Sequence, residues 1–228
     1  MKRHLPNFLT CCNLICGCLG IVAVLEERQI PAAYFVWAAG IFDFFDGFVA
    51  RMLKVSSPIG KELDSLADVV SFGVLPALVM YKLIGSATPS EVLPYVGFLI
   101  AVCSALRLAV FNIDETQSDS FRGLNTPANT LFITSLPLVS DSVGPWLYQT
   151  PVLLAITVTF SLLLISRIKF FAFKFHDFSW QGNQIRFIFL LLAAALLIGL
   201  QFVAIPIIIL LYIVLSLSTH VLEDKAKS

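Results

Sequence analysis

The sequence predicts an all-α, polytopic integral membrane protein: a helical bundle of about eight transmembrane helices, with six or seven as the alternatives, in one membrane domain over residues 1–228. Three observations predict it. Hydrophobic residues make up 58% of the 228 and charged residues 13%, where globular domains run at about 45–50% and about 25%. Apolar runs of roughly the 17–25 residues that cross a bilayer recur along the chain. Charged residues mostly fall at the ends of these runs. Mean hydropathy is +0.88 and formal net charge is zero, so no basic excess points to nucleic acid.

The runs lie near 8–25, 31–50, 64–83, 91–111, 127–142, 149–168, 185–201 and 204–220. The first follows a basic start, but no small-residue cleavage site comes after it, so it reads as a span and not a leader. The fifth is short. The last two form one apolar stretch too long for a single straight helix, and "LQFVAIP" at 200–206 is the expected turn, with Pro206 opening the second helix. A catalytic core over about 5–170 and a C-terminal hairpin over about 185–220 are the expected subdivisions.

Basic residues set the orientation. With both ends cytoplasmic and eight spans, Lys2, Arg3, Arg51, Lys54, Lys61, Arg107, Arg122, Arg167, Lys169, Lys174, Arg186, Lys225 and Lys227 fall inside, and Arg28 and Lys82 fall outside. That asymmetry follows the positive-inside rule and supports an even count. The loop at 113–126 is then cytoplasmic, as in "RIKFFAFKFHDFSW" at 167–180, whose basic and aromatic mixture suits an interfacial helix or helix end against anionic lipid. His4, His176 and His220 lie near span ends, away from the acidic residues, and read as interfacial. Cys11, Cys12, Cys16 and Cys18 cluster in the first span, with Cys103 far away. No His or second Cys pair completes a zinc set, so they read as small packing residues.

Four aspartates need a different account. In "FDFFDGFVAR" (42–51) Asp43, Asp46, Gly47 and Ala50 share one helix face, and in "GKELDSLADVVSFG" (60–73) Asp64, Asp68 and Ser71 share another. The short link between them should set the two helices side by side and antiparallel, so that both acidic faces meet at the cytoplasmic end. Carboxylates crowded in a partly buried place repel one another unless cations intervene, and ionisable residues in spans usually mark function. Oxygen-only ligands suit Mg²⁺ or Mn²⁺, with Ca²⁺ as a further option. Four carboxylates can bridge two ions about 3.5–4 Å apart and so clamp a pyrophosphate. Gly47 and Ala50 leave room beside them, and Arg51 can pair with phosphate oxygens. Taken singly, each piece has a plainer explanation: a solvated helix end, a topology determinant, a packing glycine. Their shared faces weaken it.

The spacing Asp-x2-Asp-Gly-x2-Ala-Arg-x8-Gly-x3-Asp-x3-Asp, met by Asp43, Asp46, Gly47, Ala50, Arg51, Gly60, Asp64 and Asp68, resembles the signature of the CDP-alcohol phosphotransferases. The resemblance implies a membrane-embedded helical bundle, usually a homodimer, a CDP-linked lipid donor, an alcohol acceptor and CMP as leaving group. By position it implies Asp43, Asp46 and Asp64 as metal ligands, Asp68 as general base and further ligand, and Asn7, Thr10, Gly47, Ala50, Arg51 and Gly60 as contacts to the CDP and diphosphate. "LDSLADVVSFGVLPA" (63–77), "LPNFLTCCNLICG" (5–17, carrying Asn7, Thr10 and Asn13), "LRLAVFN" (106–112) and "FRGLNTP" (121–127) resemble the bacterial members that take CDP-diacylglycerol and L-serine. Asn125 stands where those members lead one to expect proline. The resemblance is close over about 5–130, and the last three spans match only in hydropathy. A zwitterionic acceptor needs a cation for its carboxylate, for which Arg107 and Arg122 are the candidates, with Asn112 as a polar helper. The expected activity is phosphatidyl transfer from CDP-diacylglycerol to serine at the cytoplasmic face of a bacterial-type inner membrane. The alternatives are an inositol, inositol phosphate or glycerol phosphate acceptor, an archaeal-type lipid donor, or, from another class, a cation transporter using the carboxylates as an ion path.

Overall fold

The computed structural model describes residues 4–28, 31–55, 57–114, 120–171 and 183–227. Lys2, Arg3, Lys174 and His176, and with them residues 172–180 of the basic-aromatic stretch, lie outside the described residues.

Helix α1 (Leu5–Leu25) has Pro6 in its first turn, where a missing N–H costs nothing. Its buried positions are Pro6, Thr10, Asn13, Gly17, Gly20 and Ala23, a stripe of small and polar residues recurring every three or four positions. Phe8, Ile15, Leu19 and Val22 face outward. This inversion of soluble-helix patterning suits lipid outside and close helix contact inside. A Cβ added at Gly17 would lie 2.3 Å from Ser71 Oγ, so glycine is what lets α1 seat against the neighbouring helix.

Helix α2 (Ala32–Leu53) packs along α1 and ends at Lys54, in the left-handed conformation with φ 53°. Ser57 then caps α3 (Pro58–Asp68), its side chain accepting from the Gly60 N–H at 3.0 Å. The helix continues through a π-helical segment (Val69–Val74) into α4 (Leu75–Ala87). A 3₁₀ turn (Leu93–Phe98) leads into α5 (Leu99–Ile113). Strand β1 (Ser120–Arg122), α6 (Thr126–Ser135), the single-turn α7 (Ser140–Val143), α8 (Thr150–Ile165), strand β2 (Lys169–Phe171), α9 (Gln184–Leu200) and α10 (Ala204–Lys227) follow.

Among the described residues, five helical stretches are long and apolar enough to cross a membrane: Leu5–Leu25, Ala32–Leu53, Pro58–Ala87, Leu93–Ile113 and Arg186–Ser218. The all-α helical bundle is as expected, and these five stretches do not by themselves give the count of eight. The run at 127–142 breaks into α6, of 10 residues, a 3₁₀ turn and α7, too short to cross alone. Helix α8 has 16 residues, about 24 Å at 1.5 Å per residue. The stretch Arg186–Ser218 folds back at a 3₁₀ turn over Gln201–Val203, where Gln201 has φ 49°. Phe189 and Tyr212, on either side of that turn, meet edge-to-face at 6.1 Å, which makes α9 and α10 a hairpin. Phe202 at its tip stacks on Trp37 of α2 at 5.8 Å.

The apolar core lies among α4, α5, α6, α8 and α10, with Met80, Ile84, Ile100, Ile133 and Leu153 fully buried. Phe132 and Phe160 stack in it at 4.1 Å. Residues 169–171 are a strand and not the expected interfacial helix: β2 pairs antiparallel with β1, Arg122 opposite Lys169 and Phe121 opposite Phe170. Alternation explains it, since Phe170 points inward, fully buried, against Tyr212 at 5.7 Å. Asn125, in place of the expected proline, caps α6, its side-chain oxygen accepting from the Ala128 N–H at 2.8 Å. His4 is exposed at the start of α1. Cys11 and Cys18 face outward, Cys12 and Cys16 are half-buried, and Cys103 is buried, all as free thiols.

Candidate active site

The four aspartates come together, though not as two helices in contact. Helices α2 and α3 each pack more closely on α1 than on one another. Helix α1 packs against both α2 and α3, and its polar stripe reaches a carboxylate on each. Thr10 Oγ1 donates to Asp46 Oδ2 at 2.6 Å, and Asn13 Nδ2 donates to Asp68 Oδ1 at 3.2 Å. Asp43, Asp64 and Asp68 each place a carboxylate oxygen within 4.8 Å of the other two. Asp46, buried like Asp68, stands beside this triad, oriented by Thr10. Three such oxygens around one point are a donor set that could hold a hard divalent ion.

The π segment begins immediately after Asp68. Such a segment carries one extra residue per turn and frees a carbonyl from the helical ladder. Here Thr130 Oγ1 of α6 donates to the Phe72 carbonyl at 2.7 Å, and Ser71 Oγ donates to the Asn13 carbonyl at 3.0 Å. The irregular turn is thus tied to α6 and α1, and Asp68 is held from both sides.

A cavity of about 520 Å³ opens beside the carboxylates. Asn7, Thr10, Asp46, Gly47, Ala50, Gly60 and Asp64 line it, together with Lys54 and Lys61. A side chain at Gly60 would press on Asn7 Oδ1 and Ser57 Oγ, each at 3.0 Å, so glycine keeps this wall open. A Cβ at Gly47 would meet an Arg51 guanidinium nitrogen at 3.5 Å. Arg51 itself is exposed and does not line the cavity.

A second cavity, of about 420 Å³, lies between the C-terminal ends of α5 and α8 and strand β1. Arg107, Arg122, Arg167, Asp114 and Ser166 line it. Arg107 is 9% exposed, and its Nε has no hydrogen-bond partner among the described residues. Arg122 faces Asp114 at 4.0 Å. Gly123, at φ +78°, forms part of the support: a Cβ there would lie 2.2 Å from the Leu164 carbonyl oxygen, and its N–H donates to the Ile168 carbonyl at 2.9 Å.

Arg107 and Arg122 thus share a cavity, but Asn112 does not line it. Asn112 joins α5 to α3, donating from Nδ2 to Ser65 Oγ at 2.7 Å and accepting at its carbonyl from Lys61 Nζ at 2.7 Å. Sequence reasoning missed Lys54, Lys61, Asp114 and Arg167 as cavity residues. The polar Asn7–Thr10–Asn13 stripe at three-residue spacing was the signal for α1. Nothing local marked Asp114 or Arg167, which sit where helices end.

The chain matches the CDP-alcohol phosphatidyltransferase family over residues 3–222, so the likeness extends through the last helices and not only over 5–130. It is 36% identical over 179 residues to a CDP-diacylglycerol–serine O-phosphatidyltransferase of Bacillus subtilis, covering 76% of this chain and 93% of that one. A protein of the same name from Mycobacterium leprae is 39% identical over 173 residues, 72% of this chain and 57% of its own length. An archaetidylserine synthase of Methanothermobacter thermautotrophicus is 32% identical over 169 residues, 73% of this chain and 69% of its own. Motif, carboxylate geometry and the match along nearly the whole chain agree: this protein belongs to the CDP-alcohol phosphatidyltransferase family.

Proposed function

We propose that this protein transfers the phosphatidyl group of CDP-diacylglycerol to the hydroxyl of L-serine and releases CMP. The observation that carries the reading is the carboxylate triad of Asp43, Asp64 and Asp68 beside a cavity bordered by Asp46 and Asp64. The relatives' names supply the acceptor, since each specifies serine.

The donor set fits one or two divalent ions, Mg²⁺ or Mn²⁺, held by Asp43, Asp46, Asp64 and Asp68. Bound there, such ions would neutralise the pyrophosphate and help lower the acceptor hydroxyl's pKa. The chain's own residues do the rest. Asn7, Thr10, Gly47, Ala50 and Gly60 shape the CDP side of the cavity, where Lys54 and Lys61 bring positive charge. Asp68, its carboxyl fixed by Asn13, accepts the serine hydroxyl proton as the oxygen bonds to the lipid-side phosphorus. The bond from that phosphorus to the bridging oxygen breaks, and CMP leaves with the electron pair. Arg51, whose guanidinium lies close to Gly47 at the helix surface, pairs with phosphate oxygens in this reading. Arg107 and Arg122 serve the acceptor's carboxylate. The acyl chains stay in lipid, the reaction runs at the cytoplasmic face of a bacterial inner membrane, and the protein works as a homodimer.

Purified protein given CDP-diacylglycerol, Mn²⁺ or Mg²⁺ and one acceptor at a time tests this. CMP release with serine only, abolished by chelation, is expected. Release with inositol, inositol phosphate or glycerol phosphate in its place would overturn the acceptor. No release from folded, ion-binding protein would favour ion transport. The archaeal relative motivates one variant of the reading, an archaeal-type lipid donor with the same acceptor, and offering both donors separates the two.

A further inference from the structure

Helix α5 runs antiparallel to the continuous helix formed by α3, the π segment and α4, and two contacts fix their register. Deep in the bundle, a Cβ added at Gly73 would lie 3.2 Å from Ser104 Cβ. Toward the C-terminal end of α5, Asn112 Nδ2 donates to Ser65 Oγ at 2.7 Å. The step between the contacts is eight residues on both helices, from Gly73 back to Ser65 and from Ser104 on to Asn112. Between the contacts lie Asp68 on one helix and Arg107 on the other.

The two contacts are of different kinds. The deep one is close packing, backed by the bonds that tie the π segment to α6 and α1. Helix α3 itself packs mainly on α1 and has little backbone contact with α5, so holding it to α5 falls to side chains. Asn112 provides both links: its Nδ2 reaches Ser65, and its carbonyl accepts from Lys61 Nζ at 2.7 Å. That carbonyl is among the last four of α5, which the helical ladder leaves unpaired and a lysine suits. Ser65 follows Asp64 directly and stands one turn before Asp68. The Asn112 side chain therefore grips the turn of α3 that carries two of the carboxylates.

We propose that Asn112 is a positioning residue: through Ser65 it sets the spacing between Asp68 and Arg107, and it does not touch the acceptor itself. This rests on the proposed reaction for the roles of those two groups, Asp68 taking the hydroxyl proton and Arg107 holding the acceptor. Asp68 is tied to α1 by Asn13, whereas Arg107 belongs to α5, so their spacing depends on how α5 is held to α3. Spacing matters because misplacing reacting groups by about 1 Å can cost about 10²-fold in rate. Asn112 does not line the second cavity, which is where a direct contact to the acceptor would put it.

A double-mutant cycle tests it. Ser65→Ala, Asn112→Ala and the double variant are made in full-length protein, and kcat, both KM values and the thermal unfolding midpoint in detergent are measured. Each single variant is expected to lower kcat by about 10- to 100-fold with the KM for CDP-diacylglycerol unchanged. The double variant should be no worse than either, because both changes remove the same bond. Ser65→Thr, which keeps the hydroxyl, should recover most of the rate. A merely structural bond would lower the unfolding midpoint and leave kcat of the folded protein at the wild-type value, and the proposal would be wrong. It is equally wrong if Asn112→Ala loses rate while Ser65→Ala does not, the result of a direct contact between Asn112 and the acceptor, or if the two losses simply add. Should Asn112→Ala not fold, Ser65→Ala against Ser65→Thr decides alone. Wild type that releases CMP with another acceptor overturns serine, and the same cycle run with that acceptor still decides the role of Asn112. Wild type that releases no CMP overturns the proposed reaction, and this inference with it.

Discussion

The two cavities are built in opposite ways. The first is made by neighbours in sequence: three consecutive helices, α1 to α3, supply its carboxylates, its glycines and its polar stripe. The second is assembled from residues 107, 114, 122 and 167, the ends of two helices and a strand that meet only after folding. The first sets Asp46 and Asp64 against Lys54 and Lys61 in its wall, with Asp43 and Asp68 close by. The second sets Arg107, Arg122 and Arg167 against Asp114. In the proposed function the acceptor falls to the distributed site and the CDP-lipid to the local one.

That division can be broken by mutation. The largest effect is expected at Asp68: Asp68→Asn should lower kcat by about 10²–10⁴-fold, the usual contribution of a general base, with CDP-lipid binding measured separately. Turnover near wild type would remove Asp68 from that role. Next, Arg107→Gln should raise the serine KM by about 10- to 100-fold while leaving the KM for CDP-diacylglycerol alone, since charged hydrogen bonds contribute about 1.5–3 kcal/mol. A shift in the donor KM instead would merge the two cavities into one functional unit. Gly123→Ala should destabilise the fold by about 1–3 kcal/mol, because its Cβ would collide with the Leu164 carbonyl oxygen at 2.2 Å. Thermal unfolding in detergent reads that effect. Lys54→Gln should raise the donor KM only a few-fold, about what an exposed charge contributes, and should spare the serine KM. Smallest is Asn125→Ala, which removes the cap on the Ala128 N–H and should cost about 1 kcal/mol. Asn125→Asp should keep that stability.

Several elements were legible before folding because their cause is local. Helices α1 and α2 declare themselves by apolar length. The turn between α9 and α10 was expected at 200–206 and falls at Gln201–Val203, because an apolar stretch of 33 residues exceeds what one straight span requires. The acidic face of α2 follows from helical spacing alone. Other features had no local cause. Hydropathy could not show that the run at 127–142 would break after ten residues of helix, since buried Thr126, Asn129, Thr130 and Thr134 turn α6 toward the site and core and not toward lipid. Nor could it show that Lys169–Phe171 would be a strand, which needs a partner at Ser120–Arg122.

By itself the sequence determined the class, the membrane setting and the four carboxylates, because hydropathy and residue spacing act within a single helix. Only the tertiary structure decided that α1 would pack beside both acidic helices, with Thr10 and Asn13 holding Asp46 and Asp68. It alone decided that a π turn pinned by Thr130 would follow Asp68. It likewise brought Arg107 of α5 and Asp114 at its C-terminal end to the wall of one cavity with Arg122 and Arg167. The physical reason is the same in each case. Repulsion among carboxylates and the need to satisfy buried polar groups are resolved by whichever neighbours the packing supplies, and packing is a property of the whole chain.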